Sequence, residues 1–394
     1  METINQALPS SVAILGSTGS VGCQALDVAR YHRIPVDMIS ARSSVGKLEE
    51  QVREFSPRIC AVSDEKAAAD LRVRIADTKT KILAGEQGII EGIKDSRAPV
   101  AVNAILGEAG LLPTLAVIDS GKRLALANKE SLVVAGDEVM RRARERSVEI
   151  LPVDSEHCAI FQCLQAGARC EVKRILLTAS GGPFFGYDRA RLATVTKKET
   201  LAHPTWQMGQ KITVDSATLM NKGFELIEAA HLFGVSADSI TVVVQRQSII
   251  HSMVEYIDNT VIAQMSVPDM RDCVQYALTY PTRQSGLTPP LDFFALGKLT
   301  FDRPDGENFP LLPLAARAYR AGGALPAVLN AANEEAVAIF LERDLRLVDI
   351  FDIVTATVEE FSATAAHITA LSDILACARE ARAVAREKAM ATVG

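Results

Sequence analysis

Two carboxylates stand one residue apart in the stretch "PVDSEH", Pro152 to His157, at the end of an apolar run. Acids this close repel one another unless a cation or a shared proton relieves them. On an extended segment residues two apart face the same way, which predicts Asp154 and Glu156 side by side with Ser155 opposite. A hard divalent cation held through carboxylate oxygens would remove the repulsion, and it would take a third ligand from another element. The stretch "VDSATLMNKGFELIEA" offers one, because Asn221, Lys222 and Glu225 are spaced to share one face of a helix. The plainer alternative is a solvated loop for the first pair and a helix-surface acid for Glu225.

Two further segments have the composition of a binding site. "TASGGPF" sets Ser180 beside paired glycines at a strand end, and "HPTWQMGQK", His203 to Lys211, carries the only tryptophan in a loop with glycine and proline. The second has the character of a lid. Near the N-terminus "VAILGSTGSVGCQALDVA" reads as strand, glycine turn and helix, with Gly16, Gly19 and Gly22 three residues apart. Such a turn lets backbone amides approach a pyrophosphate at a helix N-terminus. The next strand ends in Ala41, Arg42, Ser43 and Ser44, where an NAD site usually places an acid. A guanidinium and two hydroxyls suit a 2'-phosphate, which favours NADPH, whereas Asp37 lies too near the strand's start to reach a ribose. A solvated Arg42 is the bland alternative.

These residues need elements to position them. From Ser11 to about Ile150, short β-branched runs alternate with amphipathic stretches, the signature of βαβ units around a parallel sheet. From Leu151 to about Tyr280 the pattern is mixed, with the runs "RILLTAS" and "SITVVVQ" and a helical stretch near Met220 to Phe233. Six prolines between Pro281 and Pro313 argue for a linker, and the remainder has helical spacing. The expected fold class is therefore α/β: a Rossmann-like NADPH domain over 1–150, an α+β catalytic and metal-binding domain over 151–280 with a flexible loop at 200–210, a linker over 281–313, and a C-terminal helical domain over 314–394.

The strings "GSTGSVG", "LANKESLV", "PVDSEH", "TASGGPF", "HPTWQMGQKITVDSATLMNKGFELIEA", "QSIIHSMVEY", "PDMR" and "NAANEEAV" occur in one order along nearly the whole chain. In that order and spacing they resemble the 1-deoxy-D-xylulose 5-phosphate reductoisomerases. The resemblance implies a divalent cation, Mg or Mn, on Asp154, Glu156 and Glu225, with Glu228 as the next acid in line. It implies a substrate phosphate held by Ser180, Ser216, Asn221 and Lys222. Lys129, Ser155, His203 and His251 would line the sugar, and Trp206 with Met208 would belong to a loop closing over it. Lys129, Asp154, Glu156, Glu225, His203 and His251 are then the catalytic set. Ser17, Thr18, Ser20, Val21, Asn128, Glu130 and Gly209 join Gly16, Gly19 and Arg42 to Ser44 at the cofactor. His32, His231 and His367 have no motif company and read as structural.

The implied reaction rearranges the carbon skeleton of a ketose phosphate and then reduces the resulting branched aldehyde with NADPH, giving 2-C-methyl-D-erythritol 4-phosphate for isoprenoid precursor synthesis. Two departures from the family pattern concern only the cofactor side: Glu108 stands where a small residue is more usual, and Arg42 to Ser44 is not an invariant string. Three rivals make different predictions. A redox-free sugar-phosphate isomerase would turn over without oxidising NADPH, an NADPH-binding regulator would bind without chemistry, and a metal-free dehydrogenase would survive chelation.

Bulk properties limit the partners. The net charge of −6 lacks the basic surplus that a nucleic-acid or anionic-membrane partner requires; the partners that the resemblance implies are a small sugar phosphate and a second copy of the chain in a homodimer. Seven scattered cysteines without a C-x-x-C pair suit reduced thiols. The N-terminus lacks the pattern of a signal peptide and no apolar run approaches a membrane span, which together read as cytoplasmic.

Overall fold

The computed structural model describes residues 8–202 and 209–393. The chain divides into two compact units. The first takes the chain as far as Ser131, then Val139–Cys158 and Asp269–Pro290; the second takes Leu132–Glu138, Ala159–Pro268 and everything from Leu291 onward.

Seven strands build the first unit: β1 (Val12–Leu15), β2 (Val36–Ala41), β3 (Ile59–Val62), β4 (Lys81–Ala84), β5 (Val100–Asn103), β6 (Arg123–Leu126) and β7 (Ile150–Pro152). They lie in the order β4-β3-β2-β1-β5-β6-β7, and every pairing is parallel. Strands covered on both faces by helices should be continuously apolar. β1, β3 and β5 are buried along their whole length, with Ile14, Leu15, Met38, Ile39 and Ile59 at the centre of the core. The strand order reverses between β1 and β5, and the crevice beyond their carboxyl ends is where an open α/β sheet accepts a ligand.

Four strands form the sheet of the second unit: β8 (Val172–Ala179), β9 (Ile240–Val244), β10 (Ile250–Tyr256) and β11 (Val261–Met265), in the order β11-β10-β8-β9. β8 and β9 run parallel, while β10 is antiparallel to both β8 and β11. The helix Met220–Phe233 packs against Leu311–Ala321, and Gly223 permits the approach: a Cβ there would lie 2.6 Å from the Ala315 methyl. The long helices Leu325–Glu342, Leu347–Ala365 and Leu371–Val393 pack on one another. Among the described residues no helix is long and apolar enough to cross a membrane.

The α/β class and the Rossmann-like first sheet agree with the sequence reading. Its divisions at 150, 280 and 313 do not coincide with the two units. The helix Met270–Thr279 returns to the first unit, where it packs on Ser20–His32 and its Gln275 Oε1 lies 2.9 Å from His32 Nε2. Residues 281–313 are not a bare linker either. Asp302 exchanges two backbone hydrogen bonds of 2.9 Å with Val244, and the helix Leu311–Ala321 begins before Pro313.

Candidate active site

The glycine turn follows β1 in the crevice of the first sheet. Gly16 has φ +79°, and a Cβ at this position would lie 2.6 Å from the Ala104 carbonyl oxygen, so only glycine fits. The turn is tied to the end of β2, where the Ser17 amide donates to the Ser40 carbonyl at 2.8 Å and the Gly16 amide to Ser40 Oγ at 3.3 Å. Gly19 precedes the helix Ser20–His32 in extended conformation, so the free amides of the first helical turn open at the crevice. Thr18 and Val21 belong to the same turn and helix start. Arg42, Ser43 and Ser44 follow β2 directly and are exposed, available to a phosphate. Asp37 sits at the opposite end of β2, where it accepts from Ser96 Oγ and the Arg97 amide, each at 2.8 Å, which removes it from the cofactor end.

Asn128 follows β6 and is buried. Its Nδ2 donates to the carbonyls of Ile105 (2.7 Å) and Gly107 (2.9 Å), and its Oδ1 accepts from the Ser131 amide (3.0 Å). Asn128 therefore shapes the loop after β5, with Glu130 Oε2 3.2 Å from its amide nitrogen. Gly209 lies in the second unit, before the helix Gln210–Ala217.

The acid pair is built differently from the strand alternation expected of it. β7 ends at Pro152, Val153 is buried, and the chain turns at Asp154 into the helix Ser155–Cys163, whose first bond runs from the Cys158 amide to the Asp154 carbonyl at 2.8 Å. Asp154 and Glu156 thus lie at a helix N-terminus, where the free amides favour negative charge. Ser155 is not opposed to Glu156: its hydroxyl donates to Glu156 Oε2 at 2.5 Å.

Asp154 is paired with the buried ammonium of Lys129, which the end of β6 presents. His157, fully buried one helical turn on, has Nδ1 3.8 Å from Asp154 Oδ1. Burial alone would raise the Asp154 carboxyl, but the Lys129 ammonium, His157 and the adjoining Glu156 outweigh it and hold the group well below the usual carboxylate range. An acid kept ionised in a partly buried place is ready to bind a cation.

In the second unit, Ser180 follows β8 and leads into Gly181 and Gly182, both at positive φ. A Cβ on Gly182 would lie 2.6 Å from the Ser216 carbonyl oxygen, so the glycine brings the Ser180 turn onto the end of the helix Gln210–Ala217 that carries Ser216. Leu219, left-handed at φ +60°, makes the corner between that helix and Met220–Phe233. Beyond the corner, Asn221 Nδ2 donates to Glu225 Oε1 at 2.5 Å and Lys222 Nζ to Glu225 Oε2. The face predicted from their spacing is present. Glu225 and Lys222 are buried, and Glu228 is fully buried about one turn further on.

Asp215, immediately before Ser216, is also buried. It accepts from Asn333 Nδ2 at 2.8 Å and pairs with Lys211 at 2.8 Å. His251 on β10 has Nε2 3.2 Å from the Ser266 carbonyl oxygen. Burial lowers its pKa, the Lys222 ammonium acts in the same direction, and the Ser266 and Val267 backbone opposes them, so the ring is held toward the neutral form. His203, Trp206 and Met208 lie outside the described residues.

The structure adds His157, Asp215 and Gln51 to the residues singled out in the sequence. His157 stands in the "PVDSEH" string, and its spacing of three from Asp154 is the signal once a helix is recognised there. Gln51 has its partner on a distant segment and leaves no local signature, and Asp215 shows locally only its spacing of four from Lys211.

Chemically, the first unit offers a nucleotide turn and a pair of acids, of which Asp154 is held ionised beside a lysine. The second offers a buried carboxylate among hydroxyl, amide and ammonium donors. Hard oxygen ligands suit Mg or Mn, and the donor cluster suits a phosphate.

Three family descriptions match the chain: "1-deoxy-D-xylulose 5-phosphate reductoisomerase" over residues 12–136, its "C-terminal domain" over 150–233, and "DXP reductoisomerase C-terminal domain" over 265–384. A curated 1-deoxy-D-xylulose 5-phosphate reductoisomerase from Acetivibrio thermocellus is 52% identical over 343 residues, which are 87% of this chain and 90% of the relative. The solved reductoisomerase from Zymomonas mobilis in complex with NADPH is 42% identical with a TM-score of 0.89, covering 96% of this chain and 98% of the other. A second solved structure, DOX-P reductoisomerase with NADPH, fosmidomycin and magnesium, is 40% identical with a TM-score of 0.91, covering 97% and 98%.

Proposed function

The chain belongs to the 1-deoxy-D-xylulose 5-phosphate reductoisomerase family, and we propose that it divides the family's reaction, the NADPH- and divalent-metal-dependent conversion of 1-deoxy-D-xylulose 5-phosphate to 2-C-methyl-D-erythritol 4-phosphate, between its two units as follows. The first unit binds NADPH, with the pyrophosphate on the turn from Gly16 to Val21 and the 2'-phosphate at Arg42, Ser43 and Ser44. Asp154 and Glu156 hold a Mg or Mn ion, and Glu225 of the second unit is the third protein ligand. When bound, the cation supplies Lewis-acid stabilisation of the substrate's reacting oxygens and NADPH supplies hydride.

The remaining work falls to the chain's own groups. Lys129 keeps Asp154 ionised and places an ammonium where a proton can be donated to a substrate oxygen. Ser180, Ser216, Asn221 and Lys222 bind the phosphate, each as a donor to an acceptor-only group. Ser155 and neutral His251 orient the sugar chain.

The observation that carries this reading is the partly buried Asp154 carboxylate held ionised by Lys129 beside Glu156, since an acid pair fixed in this way has a use once a cation joins it. We further propose that the protein works in the cytoplasm as a homodimer through its second unit. Phe293, Phe294 and Phe301 expose large apolar rings there, and β11 is an edge strand.

The test is NADPH oxidation by the purified chain with 1-deoxy-D-xylulose 5-phosphate, after chelator treatment and with Mg or Mn restored, beside Glu225→Gln. Wild-type turnover should require the metal, and Glu225→Gln should lose roughly 100-fold or more in kcat. Turnover that survives chelation, or a Glu225→Gln enzyme as fast as wild type, would sink the assignment of Glu225 as a metal ligand.

A further inference from the structure

Gln51 lies on the helix Val45–Phe55, is buried, and points its amide at a single residue of the glycine turn. Its Nε2 donates to the Ser17 carbonyl oxygen at 3.0 Å, and its Oε1 accepts from the Ser17 hydroxyl at 2.7 Å. Both ends of the primary amide are therefore engaged by a residue 34 positions away.

The helix that carries Gln51 starts directly after Arg42, Ser43 and Ser44, and its first turn closes with the Leu48 amide on the Ser44 carbonyl at 3.0 Å. Gln51 lies seven positions beyond Ser44 along this helix, a strut of about 10 Å. On its other side Ser17 is held by the Ser40 carbonyl at the end of β2. The turn that faces a pyrophosphate and the segment that faces a 2'-phosphate are thus joined twice, once through β2 and once through Gln51.

We propose that Gln51 is a positioning residue for the dinucleotide, fixing the separation between the glycine turn and the Arg42 to Ser44 segment and thereby contributing to selection of NADPH over NADH. The inference rests on the reading of those two segments as the cofactor site. Its physical basis is that one rigid ligand must satisfy two anchors at once. NADH and NADPH share the pyrophosphate contact, and only NADPH uses the second anchor, so an error in spacing removes the contact that distinguishes them. A Gln51 that merely supported the turn would affect both cofactors alike.

The test uses the full-length enzyme with Mg and saturating 1-deoxy-D-xylulose 5-phosphate. Kinetics with NADPH and NADH are measured for wild type, Gln51→Met, Arg42→Ala and the double variant, with Tm read for each. Gln51→Met keeps the length and removes both hydrogen bonds. It should lower kcat/KM for NADPH about tenfold through KM, with kcat within about twofold and kcat/KM for NADH reduced less than about threefold. Arg42→Ala should lower the NADPH preference strongly in the Gln51 background and little in the Gln51→Met background.

Equal losses for both cofactors, or additive effects of the two substitutions, would overturn the coupling while leaving the cofactor site in place. An unchanged preference in Arg42→Ala alone would overturn the placement of the 2'-phosphate, and the coupling with it. Should Gln51→Met fail to fold, Gln51→Glu makes the same comparison: it keeps the acceptor for the Ser17 hydroxyl but sets a carboxylate oxygen against the Ser17 carbonyl, and the same drop in NADPH preference is expected.

Discussion

Gly22, the third glycine of the turn motif, gives the sharpest test of how the nucleotide end is built. It lies in the helix Ser20–His32 and is buried against the turn that precedes the helix. A Cβ at this position would lie 2.1 Å from the Gly16 carbonyl oxygen, 2.6 Å from Ser17 Cα and 2.8 Å from the Gly16 carbonyl carbon. All three atoms are backbone, so no side chain can swing away. Ordinary contact begins near 3.4 Å, and Gly22→Ala must therefore move the turn or the helix by more than an ångström. Overpacking of this kind costs about 1–3 kcal/mol. A shift of about 1 Å in a group that positions a reacting ligand costs on the order of 100-fold in rate.

Gly22→Ala should accordingly lower Tm by several degrees and raise KM for NADPH by roughly 10- to 100-fold, with Mn affinity unchanged because the acid pair follows β7. Gly46→Ala is the control: it lies on a neighbouring helix with no atom within 4 Å of the added Cβ, and should stabilise by about 0.4–1 kcal/mol. The measurements are thermal melts and NADPH titrations. A Gly22→Ala enzyme with wild-type Tm and NADPH affinity would refute the claim that close helix-to-turn packing sets the pyrophosphate site.

Two further predictions concern groups away from the chemistry. Burial raises the Asp37 carboxyl, but hydrogen bonds from Ser96 and the Arg97 amide and the Arg58 guanidinium outweigh it and lower the pKa. The stabilisation this gives is present above about pH 4, the unfolded value, and is lost as pH falls through the lower native value. Asp37→Asn should therefore be less stable than wild type at pH 7, with the gap in Tm closing below pH 4; a gap that is constant from pH 7 to 3 contradicts this. Asn333→Leu removes the 2.8 Å donor to the buried Asp215 carboxylate and should cost about 2 kcal/mol, read as a lower denaturant midpoint with an unchanged slope. A midpoint equal to wild type would show that the bond contributes nothing net.

The parts of the site that sequence conveys are those with local periodicity. The turn at Gly16, the strands β1 and β2, and the shared face of Asn221, Lys222 and Glu225 follow from spacing within one or two elements. Strand alternation extends to Asp154 and Glu156 in the sequence because the preceding run is apolar and β-branched, whereas the strand ends at Pro152. Asp is a preferred helix-capping residue, and Glu156 in the first turn suits the helix dipole, so the helix start at Ser155 had a signal that the alternation rule obscured. The return of Met270–Thr279 to the first unit had no such signal. It depends on the fit of that helix against Ser20–His32, more than two hundred residues earlier in the chain. Gln51 is hidden for the same reason, since its partner is 34 residues distant.

The most direct test of the central claim counts metal ions. Mn bound per chain is measured by electron paramagnetic resonance at equilibrium, without substrate or cofactor, for wild type, Asp154→Asn, Glu156→Gln and Glu225→Gln, with circular dichroism to confirm folding. The account predicts one Mn per chain in wild type, and an affinity weakened at least tenfold by each single substitution. Wild-type Mn affinity in a folded Glu225→Gln chain would contradict it, and would show that the acid pair after β7 does not draw its third ligand from the helix Met220–Phe233.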